Sequence, residues 1–382
     1  MYSLGGYGSM VADRVRVEAY AQALRKTVRE GAVVLEIGTG PGIFAVLACQ
    51  VGASRVYAIE PGGIIQVARE VAAANGCADK IEFFEELSNR VTLPLRADVI
   101  LSDLRGVLPL FERHIPAIVD ARRRFLAPGG TLIPRKDTLW AAIVEAPKPY
   151  NELVDAWDHN PFGQDLSPAR RLVVNNAEKV RVSPNQLLTA HQLWATLDYG
   201  SIENPDVRGN LDWRLERGGT GHGILLWFDA DLAEGTGFSN APSAPKTIYD
   251  SMLFPWTQPV SLARGQAVNV SLEAKLVEND YVWRWSTHIE PLEGSGHPRI
   301  NFEQSQLLGE VLSTATLHKM AADYVPQLSE EGRLRRRAFE LMDGEVSLEE
   351  IAHRLATEFP RRFSRWEQAL SYAGAISQEY SR

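Results

Sequence analysis

The run Val34-Leu35-Glu36-Ile37-Gly38-Thr39-Gly40-Pro41-Gly42, followed one helix length later by Val56-Tyr57-Ala58-Ile59-Glu60, constrains the fold of this chain more than any other feature. An apolar run ending at Glu36 predicts a buried strand, and the glycines after it permit a tight turn. Ile43 to Val51 then predict an amphipathic helix whose first amide groups, without partners inside the helix, face that turn. A second predicted strand ends in an acid, Glu60, at the position where such β-α-β units hold a ribose. The unit reads as a grip for an adenosine-containing cofactor.

Glycine spacing alone is a weak signal, and an ordinary glycine-rich turn is the bland alternative. Here Gly38, Gly40 and Gly42 alternate, whereas a dinucleotide site sets its third glycine inside the helix for close packing. The pattern E-x-G-x-G-x-G therefore favours S-adenosylmethionine. Glu36 is placed to accept from an ammonium group or to orient the amides of the loop.

At 382 residues the chain is longer than one ordinary domain, and two or three cores are expected. Forty basic against 48 acidic residues give a net charge of −8, which argues against nucleic-acid binding by counterion release. Cys49 and Cys77 show no C-x-x-C spacing and no histidine cluster accompanies them, so neither a disulfide framework nor a metal site is expected. No signal-peptide core and no spanning stretch of about 20 apolar residues is seen, and a cytoplasmic location is expected.

Alternating predicted helices and strands run from Met10 to Pro134: a helix over residues 10–30, the cofactor unit, strands at Ile81–Phe84 and Ala97–Leu101, and a helix at Ile115–Phe125. This pattern predicts a doubly wound parallel sheet, Rossmann-like, with ligands at the carboxyl ends of its strands. After Pro134, short alternating runs such as Gly223–Ala230 and Val268–Ala274 predict antiparallel strands in a barrel or sandwich. From Glu303 onward the pattern is helical again, over 307–324, 333–342, 347–359 and 365–380. The expected α/β organisation is therefore a Rossmann-like domain at 1–136, a β-barrel at 137–298 with an insertion at about 151–180, and a helical domain at 299–382. A linker is expected near 290–300.

Ser102-Asp103-Leu104-Arg105-Gly106 follows the strand at Ala97–Leu101, and Glu112 lies nine residues beyond Asp103. On one continuous helix the two acids would sit on opposite faces, so they converge only if the segment folds back as a loop. Gly106 and Pro109 permit that. Two convergent carboxylates would hold a cationic nitrogen and relay its proton. The alternative is that Asp103 caps the next turn and Glu112 is a solvated helix acid. His114 is a further candidate base, or a structural residue inside the next helix.

Chain order and spacing from about Tyr7 to His288 resemble the protein arginine methyltransferases. Met10-Val11-Ala12-Asp13-Arg14-Val15-Arg16 is similar to their M-L-x-D-x-x-R helix. The resemblance implies a Rossmann-like methyltransferase domain, a β-barrel broken by a helical dimerisation arm (here about Trp157–Ser167), and a homodimer. It implies cofactor contacts by Arg16, Glu36, Gly38, Gly40, Gly42, Glu60, Pro61, Ser88 and Asn89, with Arg16 on the cofactor carboxylate and Ser88 and Asn89 near the adenine. It also implies Asp103 and Glu112 as the catalytic acids, and Met10, Arg105 and Trp256 on the acceptor side. Direct displacement at the methyl sulfonium, onto a nitrogen of an amine or guanidine acceptor, is the implied reaction.

Two segments depart from the family. Its S-E-W-M-G is Ser102-Asp103-Leu104-Arg105-Gly106 here, and the nearest match to its T-H-W-x-Q is Phe254-Pro255-Trp256-Thr257-Gln258. A guanidinium meeting Arg105 at 4 Å would be repelled by on the order of 4 kcal/mol at an effective dielectric of 20. Arg105 either faces the pocket or swings out to solvent. If it faces the pocket, an acceptor carrying its own carboxylate would satisfy Asp103, Glu112 and Arg105 together. Phe339–Leu355 also resembles the small modules related to the pyrroloquinoline-quinone D protein, some of which bind leader peptides. The alternatives to a peptide-tailoring enzyme are a helical cap or dimer extension, and a cofactor-binding partner without transfer activity.

Overall fold

A computed structural model describes residues 3–292 and 299–381. The chain divides into two compact units, Met1–Glu310 and Val311–Arg382. In the first, α1 (Leu4–Ala12) and α2 (Arg14–Thr27) replace the single helix expected over 10–30. They part at Asp13, whose carboxylate caps α2 by accepting from the Arg16 amide at 3.1 Å. Then come β1 (Val33–Ile37), α3 (Ile43–Gln50), β2 (Arg55–Ile59), α4 (Ile65–Ala74), β3 (Ile81–Phe84), β4 (Ala97–Ser102), α5 (His114–Phe125) and β5 (Leu126–Ile133). The five strands pair in parallel in the order β3-β2-β1-β4-β5.

Val34, Leu35, Glu36 and Ile37 of β1 are all buried, as befits a central strand covered on both faces. The carboxyl ends of β1, β2 and β4 therefore lie side by side. The Gly38–Gly42 loop, Glu60 and Asp103 leave the sheet at those ends.

The chain then enters β6 (Lys136–Val144), a helical arm of α6 (Pro147–Asp158) and α7 (Ser167–Val173), and the strands β7 (Glu178–Val180), β8 (Gln192–Asp198), β9 (Val207–Arg214), β10 (Gly219–Ala233), β11 (Thr236–Ser239), β12 (Ser251–Leu262), β13 (Ala267–Val277), β14 (Asp280–Ile289) and β15 (Ile300–Ser305). These form two antiparallel sheets, ordered β7-β12-β10-β6-β8 with β11 beside β10, and β15-β14-β13-β9. Their inner faces share one core with the parallel sheet, built on Tyr20, Leu24, Leu139, Phe228 and Trp285. The arm starts a little earlier than expected and carries Phe162 at its tip, 82% exposed.

β15 pairs with β14, and α8 (Gln306–Gly309) follows it, so the first unit runs to Glu310 rather than ending near 298. Part of the expected linker, residues 293–298, lies outside the described residues. The second unit holds α9 (Thr314–Lys319), α10 (Glu330–Leu341), α11 (Leu348–Glu358) and α12 (Trp366–Tyr380), and no strand occurs among its described residues. Ser329 and Ser347 cap α10 and α11, and Leu334, Leu341, Ile351, Leu355 and Ile376 fill its core. The helix expected over 307–324 is instead two short pieces. Val311, Leu312 and Met320 are exposed there, so no apolar contact holds a longer helix together. No helix among the described residues is long and apolar enough to cross a membrane.

Candidate active site

The loop after β1 takes left-handed backbone at Gly38, Gly40 and Gly42, with φ of 78°, 52° and 85°. The amides of Gly38 and Thr39 donate to the Ile59 carbonyl at 2.8 and 3.1 Å, which clamps the loop onto the end of β2. Glu60 completes the clamp: its carboxylate accepts from Gly40 N at 3.1 Å and from Gly62 N at 2.9 Å. A Cβ on Gly40 would lie 3.0 Å from the Tyr7 ring, and one on Gly38 would lie 2.5 Å from the Leu104 side chain. Gly42 serves the scaffold rather than the cavity: it starts α3, and a Cβ there would meet Ala68 at 2.9 Å.

Above this loop opens a cavity of about 680 Å³. Its walls bring together Met10, Arg16, Glu36, Gly38, Gly40, Glu60, Pro61, Ser88, Asp103, Arg105 and Glu112 of the residues singled out from sequence. Asn89 is exposed outside it. Trp256 is outside too, a correction to its expected acceptor role. It lies in mid-strand on β12, fully buried, with its indole N–H donating to Thr287 Oγ1 at 3.1 Å.

Residues 103–113 form a loop, as convergence of the two acids requires. The Phe111 ring folds onto Gly106, where a Cβ would sit 2.5 Å from it. Glu112 follows with φ of 41°, its amide donating to Asp280 Oδ1 at 3.3 Å, while Arg113 Nη1 donates to the Glu278 carbonyl at 2.8 Å. The turn between β13 and β14 thus anchors Glu112, whose side chain is exposed at the cavity.

Asp103 is far more enclosed. Arg16 Nε donates to it at 2.5 Å, Arg105 Nη1 at 2.8 Å, and the Tyr249 hydroxyl at 2.8 Å. Burial alone would raise its pKa; Arg16 and Arg105 overcome that and hold the carboxyl down at about 2. Arg16 also donates from Nη1 to the Met10 carbonyl at 3.2 Å.

Arg105 turns neither to solvent nor to an incoming carboxylate. Its side chain has no exposure, and Nε and Nη2 form a bidentate pair with Asp137 at 2.8 and 2.9 Å. Nη1 also donates to the Tyr20 hydroxyl at 2.6 Å. The expectation that Arg105 receives an acceptor carboxylate is corrected, because Asp137 already occupies it.

Glu36 is buried and accepts from the Thr39 hydroxyl at 2.6 Å. Burial raises its pKa to about 8 against the pull of that bond, so the group is largely protonated at neutral pH. Tyr249 was missed from sequence. It is buried, stacks on Phe238 with centroids 5.8 Å apart, and lines the cavity beside Ile248. Thr247-Ile248-Tyr249 has a threonine followed two residues on by an aromatic ring, the spacing of T-H-W. That spacing was the available signal.

The parallel sheet, the glycine loop ending on an acid-bearing strand, and the cavity above it define the build of a class I S-adenosylmethionine-dependent methyltransferase. The residues fit that cofactor: the loop leaves no room for side chains at Gly38 and Gly40, and two amides fix Glu60 in place. Comparison with known proteins narrows the class. Residues 135–287 match the arginine methyltransferase oligomerization subdomain, and residues 19–136 match ribosomal protein L11 methyltransferase (PrmA). A probable protein arginine N-methyltransferase 6 from Arabidopsis thaliana is 30% identical over 251 residues, 63% of this chain; the chain spans only 56% of that relative's length. Protein arginine N-methyltransferase 1 from Dictyostelium discoideum is 26% identical over 277 residues, 70% of this chain and 81% of the relative. Arabidopsis thaliana protein arginine methyltransferase 10 shares the fold with a TM-score of 0.69 at 24% identity, covering 79% of this chain and 97% of that one. The Trypanosoma brucei PRMT1 enzyme-prozyme complex with AdoHcy has a TM-score of 0.71 at 20% identity, covering 79% and 98%. The chain thus resembles the protein arginine methyltransferases in its barrel and in its overall fold, and its glycine loop and Glu60 fit S-adenosylmethionine.

Proposed function

We propose that this chain methylates a guanidinium nitrogen of an arginine presented by a peptide or protein. The observation that carries the reading is one cavity lined both by Gly38, Gly40 and Glu60 and by Asp103 and Glu112. S-adenosylmethionine supplies an electrophilic methyl group on a sulfonium sulfur. Gly38, Gly40, Glu60, Pro61 and Ser88 hold the donor, with Arg16 toward its carboxylate. Met10 and Tyr249 close the cavity around the acceptor.

Glu112 attracts the guanidinium and orients it. Transfer of that methyl group would oblige the acceptor nitrogen to lose a proton, and Glu112, exposed at the cavity, would pass the proton to solvent. Asp103 acts as a fixed charge, since three donors claim its lone pairs.

The test is mass spectrometry of a labelled-donor reaction on arginine peptides, free arginine and amines. Methylarginine in peptides is expected, with Glu112→Gln lowering turnover roughly 100-fold or more. Methylation of amines alone would overturn the arginine reading.

The arm of α6 and α7, with Phe162 exposed, supports a homodimer, to be tested by sedimentation of wild type against Phe162→Asp. A second reading, recruitment of a precursor peptide by the helical unit, draws on that unit having its own core. Deleting residues 311–382 would abolish precursor affinity while sparing small acceptors if it holds.

A further inference from the structure

Behind Asp103 a buried chain of polar groups ends on a nitrogen without a partner. Asp137 accepts at both oxygens from Arg105. Its Oδ2 also accepts from the Tyr199 hydroxyl at 2.6 Å. A phenol has one proton, so toward His114 Nε2, 3.0 Å away, the Tyr199 oxygen is an acceptor. Nε2 must therefore carry the ring proton, and Nδ1 is left with a bare lone pair.

The ring is neutral. Burial, reinforced by the nearby Arg105 guanidinium, lowers its pKa to about 3. His114 is 1% exposed, yet it forms part of the cavity wall beside Glu112, Asp103 and Ala117. Its Nδ1 is buried and has no hydrogen-bond partner among the described residues. An unpaired buried acceptor carries a desolvation penalty that a donor would relieve on reaching it; Nδ1 is closed off in this conformation, so the cavity wall beside it must shift for that contact to form. A guanidinium has only donors, and three of the roughly four lone-pair sites of Asp103 on this wall are already taken by Arg16, Arg105 and Tyr249.

We propose that His114 Nδ1 accepts a hydrogen bond from an N–H of the methyl acceptor, with Tyr199 and Asp137 as positioning residues that fix the ring tautomer. The inference rests on the proposed function, because it requires an acceptor whose nitrogen bears N–H donors. Neutral His114 is then not the base that takes the reaction's proton. It is an acceptor-binding residue that orients the nitrogen.

The experiment begins without any acceptor. Nitrogen-15 spectra of histidine-labelled full chain should show His114 protonated on Nε2 and bare on Nδ1 at neutral pH; a ring protonated on Nδ1 overturns the proposal. Tyr199→Phe removes the acceptor for Nε2–H and should mix the tautomers. An arginine-glycine peptide, N-acetylarginine amide and a primary amine are then titrated in the presence of S-adenosylhomocysteine, with binding followed by calorimetry. The Nδ1 signal should move with the occupancy of whichever probe binds, and a signal that stays put while a probe binds overturns the proposal.

His114→Phe should raise the acceptor KM roughly tenfold, the size of one lost hydrogen bond, with S-adenosylhomocysteine affinity unchanged. A loss of cofactor affinity to the same degree would mean a structural role and overturns the proposal. If no probe binds the wild-type chain, both the proposed function and the acceptor contact fail. The tautomer spectrum, recorded without a probe, tells that outcome apart from a failure of the relay alone.

Discussion

Arg105 and Asp137 form a bidentate ion pair with neither side chain exposed, directly behind the carboxylate of Asp103. With Arg16 and Asp103 they make a buried set of two cations and two anions, in which each charge depends on the others. Removing one member leaves an uncompensated charge, whereas removing a pair need not. Asp137→Ala should therefore destabilise the chain by roughly 3 to 5 kcal/mol, and Arg105→Met with Asp137→Ala by much less than the sum of the single changes. Urea unfolding of the three variants checks this. Additive losses would mean that the pair contributes no coupling.

The separation of these two residues shows what the sequence could and could not convey. The glycine loop and Glu60 are legible because left-handed backbone and strand endings are local properties, dictated by residues a few positions apart. The fold-back at Asp103 to Glu112 is legible for the same reason. Arg105 is not: its partner lies 32 positions on, in β6, the first antiparallel strand, and nothing in either segment announces the other. Tyr249 is hidden likewise, 146 positions from Asp103. Trp256 drew attention through the spacing of Trp256-Thr257-Gln258, but Ser251 already begins β12, and Trp256 falls on the face of that strand that enters the barrel core rather than on the loop that reaches the cavity.

Glu36 gives stability a pH dependence of defined sign. Its folded pKa of about 8 lies above the ordinary 4.5, so the folded chain binds more protons than the unfolded chain between those values. Its contribution is fully present below about pH 4.5 and is lost as the pH rises toward 8. Glu36→Gln keeps the shape and removes the titration. Thermal melts between pH 5 and 8 should show a smaller fall in Tm for the variant than for the wild type, and parallel curves would exclude Glu36 as the source.

Backbone strain and contact can be separated at two glycines. Gly31 and Gly42 have nearly the same left-handed φ, 84° and 85°, but a Cβ on Gly31 meets nothing within 4 Å, whereas one on Gly42 meets Ala68 at 2.9 Å. Gly31→Ala should cost about 1 kcal/mol, the conformational term alone. Gly42→Ala should cost more and should also weaken S-adenosylhomocysteine binding, because shifting α3 moves the loop that Gly38 and Gly40 form. Equal losses in chemical unfolding would mean that the contact with Ala68 is relieved without disturbing the loop.

The helical unit should be separable from the cofactor site. Its core residues, among them Leu334, Ala338, Leu355, Phe363 and Ala373, pack on one another, and the division falls after Glu310, beyond the last strand of the barrel. A chain ending at Glu310 should bind S-adenosylhomocysteine with a Kd within about twofold of the full chain, since every cavity-lining residue lies before that point. The fragment 311–382 should be helical by circular dichroism but melt at modest temperature, because a core of that size leaves little surplus over chain entropy. If the truncated chain bound tenfold more weakly, the helical unit would be part of what holds the cofactor cavity in shape.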